Sequence, residues 1–180
     1  MTDLPLSQPF RVASLPTRKP QRFALSPDAA TRAAIAKDLE ITAVRALRFE
    51  GEIRADRKND FLLEATLTAT VEQPCIVTLE PVVTKIETRV SRRYSADFTV
   101  PDAAEVEIPE EDIEPLPEVI DMGEVAVEEL SLALPPYPRA NGAELGEAVH
   151  AAPGEVPLTD ADLKPFAGLQ ALKDKLGKDG

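Results

Sequence analysis

Val71-Glu72-Gln73-Pro74-Cys75-Ile76-Val77-Thr78-Leu79-Glu80-Pro81 joins two long runs of alternating sequence and contains the only cysteine of the chain. Pro81 lacks a backbone donor and favours a turn, so the stretch reads as the link between two strands. Upstream, Phe61, Leu63, Ala65, Leu67, Ala69 and Val71 fall on one side. Glu64, Thr66, Thr68, Thr70 and Glu72 fall on the other. Downstream, Val82, Ile86, Val90, Tyr94 and Phe98 alternate with Lys85, Glu87, Arg89, Ser91 and Arg93. Side chains on a strand point to opposite faces in turn, so this period of two predicts antiparallel strands buried on one face.

The pattern extends toward the N-terminus. Leu47, Phe49, Gly51 and Ile53 share a face opposite Arg48, Glu50, Glu52 and Arg54, and the polar segment 56–60 reads as a turn. Phe10–Ala13 and Arg22–Leu25 alternate briefly and predict two short strands around the loop 16–20. Ser26 before Pro27 has the form of an N-cap followed by proline at the first helical position. A helix is therefore expected over 27–38. Arg92 breaks the alternation on the apolar side, which predicts a cation snorkelling at a strand end or a bulge.

Beyond Pro101 the character changes. Residues 102–118 are acidic and hold Pro109, Pro115 and Pro117, so a mobile loop is expected. Glu118–Ile120 has the form of a brief strand. Asp121 reads as an N-cap with Glu124 at the capping-box position. The helix it starts runs over 121–135, with Val127, Leu130 and Leu134 as the expected buried stripe, and Pro135-Pro136 stop it. Residues 136–161 have the composition of a linker. Within 162–180, Phe166, Leu169 and Leu172 sit at helical spacing and predict a short C-terminal helix. The fold class that follows is α+β: one domain over 1–135, with an antiparallel meander or partly closed sheet covered by one or two helices.

Composition bounds the function. Aromatic residues make up 4% of the 180 residues and Trp is absent, so the core must be aliphatic. No apolar run is long enough for a membrane helix, no signal-peptide pattern opens the chain, and a lone cysteine excludes a disulfide framework. Together these predict a cytoplasmic protein with no membrane association. The net charge of −12 is localised: twelve Asp/Glu and no Lys/Arg lie between Asp102 and Glu129, whereas residues 1–101 hold fifteen basic and thirteen acidic side chains. The acidic total is therefore a poor guide to partners, and a locally basic face remains compatible with nucleic acid.

Little in the sequence suggests catalysis. The single histidine, His150, falls in the expected linker, with nothing to orient it. Cys75 reads as a small, partly buried strand residue rather than a nucleophile. No phosphate-binding glycine loop or zinc-protease helix is present. The carboxylates of 105–114 sit in a proline-broken segment with no fixed geometry. On this reading the protein is not an enzyme, needs no cofactor and takes no small-molecule substrate. The candidate binding residues are cationic: Lys85, Arg89 and Arg93 recur on one strand face, and Arg92-Arg93-Tyr94 form a basic and aromatic run. Arg18, Lys19 and Arg22 form a second group. Such a face can track a phosphate backbone while the ring stacks on a base. An ordinary solvated strand face has the same look and is the favoured reading of these residues alone, since Glu87 interrupts the row.

Three stretches in order resemble the YceD family of bacterial large ribosomal RNA subunit accumulation proteins. The first is Val71–Pro81, similar to the family pattern C-V-V-T-L-E-P through Cys75, Thr78, Leu79, Glu80 and Pro81. The second runs from Ile120 through Asp121, Glu124, Glu128 and Glu129 to Leu134-Pro135. The third is Pro136–Arg139 with the tail Pro165–Lys173. The resemblance implies a non-enzymatic factor for accumulation of 23S ribosomal RNA, with ribosomal RNA or a large-subunit ribosomal protein as partner. A competing reading is a protein–protein adaptor whose acidic segment 102–118 docks on a basic partner. Many members carry a second cysteine three residues after the first and a further pair after the helix, as in a four-thiolate zinc site. Here Thr78 holds the second position and no cysteine follows Pro135, so a metal-free fold is expected.

Overall fold

The computed structural model describes residues 5–57, 59–98 and 113–143. Met1–Asn141 form one unit that holds every element below. In chain order these are β1 (Pro9–Arg11), a 3-10 turn (Val12–Ser14), β2 (Gln21–Leu25), α1 (Ala29–Asp38), β3 (Ala43–Asp56), β4 (Asp60–Pro74), β5 (Pro81–Ser95), β6 (Ile113–Pro115), β7 (Val119–Asp121) and α2 (Met122–Ala133). Residues 102–112 of the expected loop 102–118, residues 144–161 of the expected linker 136–161 with His150, and the helix expected within 162–180 lie outside the described residues.

The class is α+β, as the alternation implies. The main sheet has the order β2-β3-β4-β5-β6, and β1 pairs with β7 in a separate two-stranded sheet. The main sheet stays open, with β2 and β6 at its edges, and closes into no barrel. At 15 residues each, β4 and β5 span about 50 Å. Their inner faces carry the residues that the period predicts. Phe49, Leu63, Leu67 and Val71 are fully buried, together with Met122, Ala126 and Leu130 of α2 and Ile35 of α1. Burial of each large aliphatic side chain contributes on the order of 1.5–3 kcal/mol. Phe23 links the layers, its ring centroid 5.2 Å from Phe49 and 6.3 Å from Phe10 of the small sheet.

Gly51 sits in the inner row between Phe23 and Ala65. A Cβ there would lie 2.2 Å from the Glu64 carbonyl oxygen, so only glycine lets the strands meet at this point.

Several expectations need correction. The N-cap of α1 is Asp28, not Ser26: the Asp28 carboxylate accepts from the Thr31 N–H at 2.8 Å, and the helix starts at Ala29. Phe10–Ala13 is strand only to Arg11. Phe98 lies past the end of β5 and is 38% exposed. The buried face of α2 is Met122, Val125, Ala126 and Leu130, while Val127 and Leu134 are only partly covered. The sheet is mixed rather than purely antiparallel. Residues 113–115, read as loop, form β6 parallel to β5, with Tyr94 opposite Glu114. Local composition argues against a strand there; pairing with β5 and the Glu114 contact to Arg92 on that neighbouring strand hold it in place.

Candidate functional site

The alternation on β5 sorts the cationic candidates onto two faces. Lys85, Arg89 and Arg93 stand on the outer face. Beside them on β4 run Thr66, Thr68 and Thr70, whose register partners include Arg89, Glu87 and Lys85. Arg48 and Glu50 of β3 form an ion pair on the same face, as do Arg54 with Glu64 and Arg22 with Glu52. Arg93 pairs with Asp56 at 3.4 Å. Lys85 and Arg89 are exposed and have no ion-pair partner among the described residues. Ala46, Arg48, Thr68, Thr70, Lys85 and Glu87 line a shallow depression of about 400 Å³ in the middle of this face.

Arg92 and Tyr94 point the other way. The structure does not assemble the Arg92-Arg93-Tyr94 run into one patch, because neighbouring strand residues face opposite sides. Tyr94 is 3% exposed, and its hydroxyl is pushed up to about 12 by burial and by the Glu114 carboxylate. Neither side chain stands on the outer face beside Lys85 and Arg89.

Arg92 is a buried cation, and the expectation of a snorkelling residue or a bulge is overturned. It pairs in regular register with Leu63 and is 8% exposed. Its Nη1 donates to Glu128 at 2.7 Å and to Glu114 at 3.3 Å, and its Nε donates to Glu129 at 3.0 Å. Burial by itself would lower the guanidinium pKa. The hydrogen bonds and charges of Glu128 and Glu129 outweigh it and raise the pKa above the ordinary value. The family-pattern residues Glu128 and Glu129 thus tie α2 to β5, and Glu114 ties β6 to both.

Asp121 has a comparable joining role. Its carboxylate accepts from the Gly123 and Glu124 N–H groups at the start of α2, and from the Ser7 hydroxyl and Gln8 N–H of the N-terminal segment. Burial opposes its charge, but these donors hold its pKa below the usual carboxylate value. A Cβ on Gly123 would come within 2.5 Å of the Leu6 carbonyl oxygen, so the crossing segment requires glycine there.

The Cys75 turn is a closed unit rather than part of a strand. Cys75 N–H donates to the Glu80 carbonyl at 2.8 Å, and Leu79 N–H donates to the Cys75 carbonyl at 3.0 Å. Leu79 adopts φ of 61°, a left-handed conformation that costs a branched residue energy, and it projects with 77% exposure. The Cys75 side chain is wholly buried, and its Sγ accepts the N–H groups of Val77, Thr78 and Ala140. These donors, led by Ala140, bring the thiol pKa down to about 6. Ile76 N–H reaches the Pro138 carbonyl at 3.0 Å and Gln73 reaches that of Pro135 at 3.2 Å. The segment after α2 therefore lies along the turn. Ile76 and Tyr137 stay exposed beside Leu79. Thr78 Oγ1 accepts from the Glu80 N–H rather than serving as a ligand. With one thiol, a threonine and a backbone amide at this place, the residues do not fit a four-thiolate zinc site. Among the described residues no group of three His, Cys, Asp or Glu could hold a metal.

Sequence reasoning missed a second groove, between α1 and the start of β3. It has a volume of about 450 Å³ and is lined by Ala29, Arg32, Ala33, Lys37, Thr42 and Arg45 among others. The signal available was the i, i+4 pairing of Ala33 with Lys37 beside Arg32 on an alanine-rich helix face. No helix among the described residues is long and apolar enough to cross a membrane.

A family model described as "Large ribosomal RNA subunit accumulation protein YceD" matches residues 63–173. No curated protein and no solved structure matches significantly.

Proposed function

The chain belongs to the YceD family, and from that premise we propose that it supports accumulation of large-subunit ribosomal RNA as a non-catalytic binding factor. The RNA contact is the outer face of β3, β4 and β5, with Lys85 and Arg89 leading and the threonines of β4 as the floor. The observation that carries this reading is the pair Lys85 and Arg89. In a chain of net charge −12, they stand exposed on a long open sheet, without a carboxylate partner among the described residues. A phosphate backbone supplies the missing charge, and its counterions are released on binding. A thiol mechanism has no support in the geometry, because Cys75 is sealed from solvent and its sulfur faces three backbone donors.

The test is affinity for 23S ribosomal RNA against salt concentration. Binding should weaken steeply with salt. Lys85→Ala with Arg89→Ala should lower both the affinity and the slope, the latter by roughly 1.5 for two lost phosphate contacts. If the chain binds only a basic ribosomal protein, and loses that binding when the carboxylates of 102–118 are neutralised, the adaptor reading replaces this one.

A further inference from the structure

We infer that the groove between α1 and the start of β3 seats a phosphate of a single-stranded RNA backbone, held by Arg32, Lys37 and Arg45. The inference rests on the RNA-binding reading above. It goes beyond the family resemblance, because the groove is built from residues 29–45, ahead of the matched residues 63–173.

The local backbone makes the groove. α1 ends in a Schellman turn: Ile41 N–H donates to the Ala36 carbonyl at 3.0 Å and Glu40 N–H to that of Lys37 at 3.3 Å. Glu40 takes the left-handed position at φ of 54°, where glycine is usual. The turn folds Ile41-Thr42-Ala43 back beside the helix, and β3 then starts as the facing wall. A register shift between Val44 and Ala46 inserts Arg45 as an extra residue at that wall.

The lining matches an anion in charge and shape. Three of its side chains are cationic and none is a carboxylate. The floor is mainly alanine (Ala29, Ala33, Ala36 and Ala43), so a bulky ligand can approach closely. Of the acids near the groove, Asp28 caps the helix through Thr31, while Glu72 accepts from Nε and Nη2 of Arg45 and leaves that guanidinium its Nη1 edge for a phosphate. Lys37 is exposed and has no ion-pair partner among the described residues. Arg32 donates through Nη1 to the Pro27 carbonyl at 2.7 Å, yet its Nε is buried with no hydrogen-bond partner among the described residues. A buried donor left unmade is costly, so Arg32 gains by turning from the Pro27 carbonyl toward a phosphate oxygen, a strong acceptor for a guanidinium.

The groove and the depression on the face already assigned to RNA are lined by consecutive residues of β3. Arg45 lines the groove, while its neighbour Ala46 lines the outer depression with Thr70 and Lys85. Ala46 is opposite Thr70, and Thr70 is opposite Lys85. Two strand spacings, about 10 Å, therefore separate the Arg45 strand from the Lys85 strand. A few nucleotides cover that step, which a free phosphate or an isolated carboxylate cannot.

The test uses the full chain with an oligouridylate of about ten nucleotides. The Arg32→Ala, Lys37→Ala double variant should bind roughly fivefold to tenfold more weakly than the parent. Its salt slope should be shallower by about 1.4, the value for two single-strand phosphate contacts. Lys37→Ala alone, at an exposed site that threatens no packing, should show about half that slope change. If these variants bind as the parent does while Lys85→Ala with Arg89→Ala weakens binding, the groove is no phosphate seat and the sheet-face reading stands. If the parent itself binds no oligouridylate, the RNA reading fails, and inorganic tripolyphosphate decides the groove. Amide shifts confined to 29–45, abolished by Arg32→Ala with Lys37→Ala, then support an anion seat. Absent shifts, or shifts spread over all cationic positions, overturn it.

Discussion

The Ala140 amide donates to the Cys75 sulfur at 3.3 Å, joining residues 65 positions apart. Val77 and Thr78 donate to the same sulfur at 3.4 Å. Three converging N–H groups, with the Thr78 side chain beside them, form the kind of cage that stabilises a thiolate. This clasp holds the segment after α2 against the turn between β4 and β5, where Ile76 and Leu79 of the turn and Tyr137 of the segment are exposed.

The clasp makes stability depend on pH in a defined direction. The thiol pKa is about 6 in the folded chain against 9.0 for an ordinary thiol. A group whose folded pKa is depressed adds stability that is complete above the unfolded pKa and is lost as pH falls through the folded one. Thermal melts should therefore show the parent gaining stability relative to Cys75→Ala between about pH 6 and pH 9. A constant difference across that window would mean that the sulfur stays protonated. Cys75→Ser should leave the RNA affinity near that of the parent.

Arg92→Ala should be strongly destabilising, by about 3 kcal/mol, because it removes the cation that Glu128 and Glu129 share and empties a buried site. Glu114 and Glu128 are 40% and 53% exposed, which keeps the loss from the top of the usual range. Arg92→Met, which fills the volume but supplies no cation to Glu128 and Glu129, should fall between the parent and Arg92→Ala. Chemical denaturation of the three proteins checks the order.

Gly51→Ala should cost about 3 kcal/mol, since the added methyl collides with the Glu64 backbone rather than with a movable side chain. A drop in melting temperature of roughly 10 °C is expected for a chain of this size. An unchanged melting temperature would show that β3 and β4 can separate locally without loss.

Glu40→Gly should raise stability by about 0.5–1 kcal/mol, because glycine adopts the left-handed φ at the end of α1 without strain. Glu40 does not line the groove, so affinity for oligouridylate should be unchanged. Denaturant midpoints and binding curves on one preparation check both.

The sequence by itself determined the sheet. Phe61, Leu63, Leu67 and Val71 had to share a buried face because side-chain direction on a strand alternates by covalent geometry. The Asp121 cap and the helix after it were equally local, and so equally legible. The same alternation placed Lys85 and Arg89 together. Only the tertiary structure decided what depends on residues distant in sequence. Arg92 became a buried anchor because Glu114, Glu128 and Glu129 arrive from two later elements. Cys75 became a clasp because the chain returns past it at Ala140. The α1 groove exists because a strained Glu40 turns the helix onto an inserted Arg45. Local periodicity sets which face a side chain occupies; which charge or donor meets it there is fixed by long-range packing, and no window of sequence contains both partners.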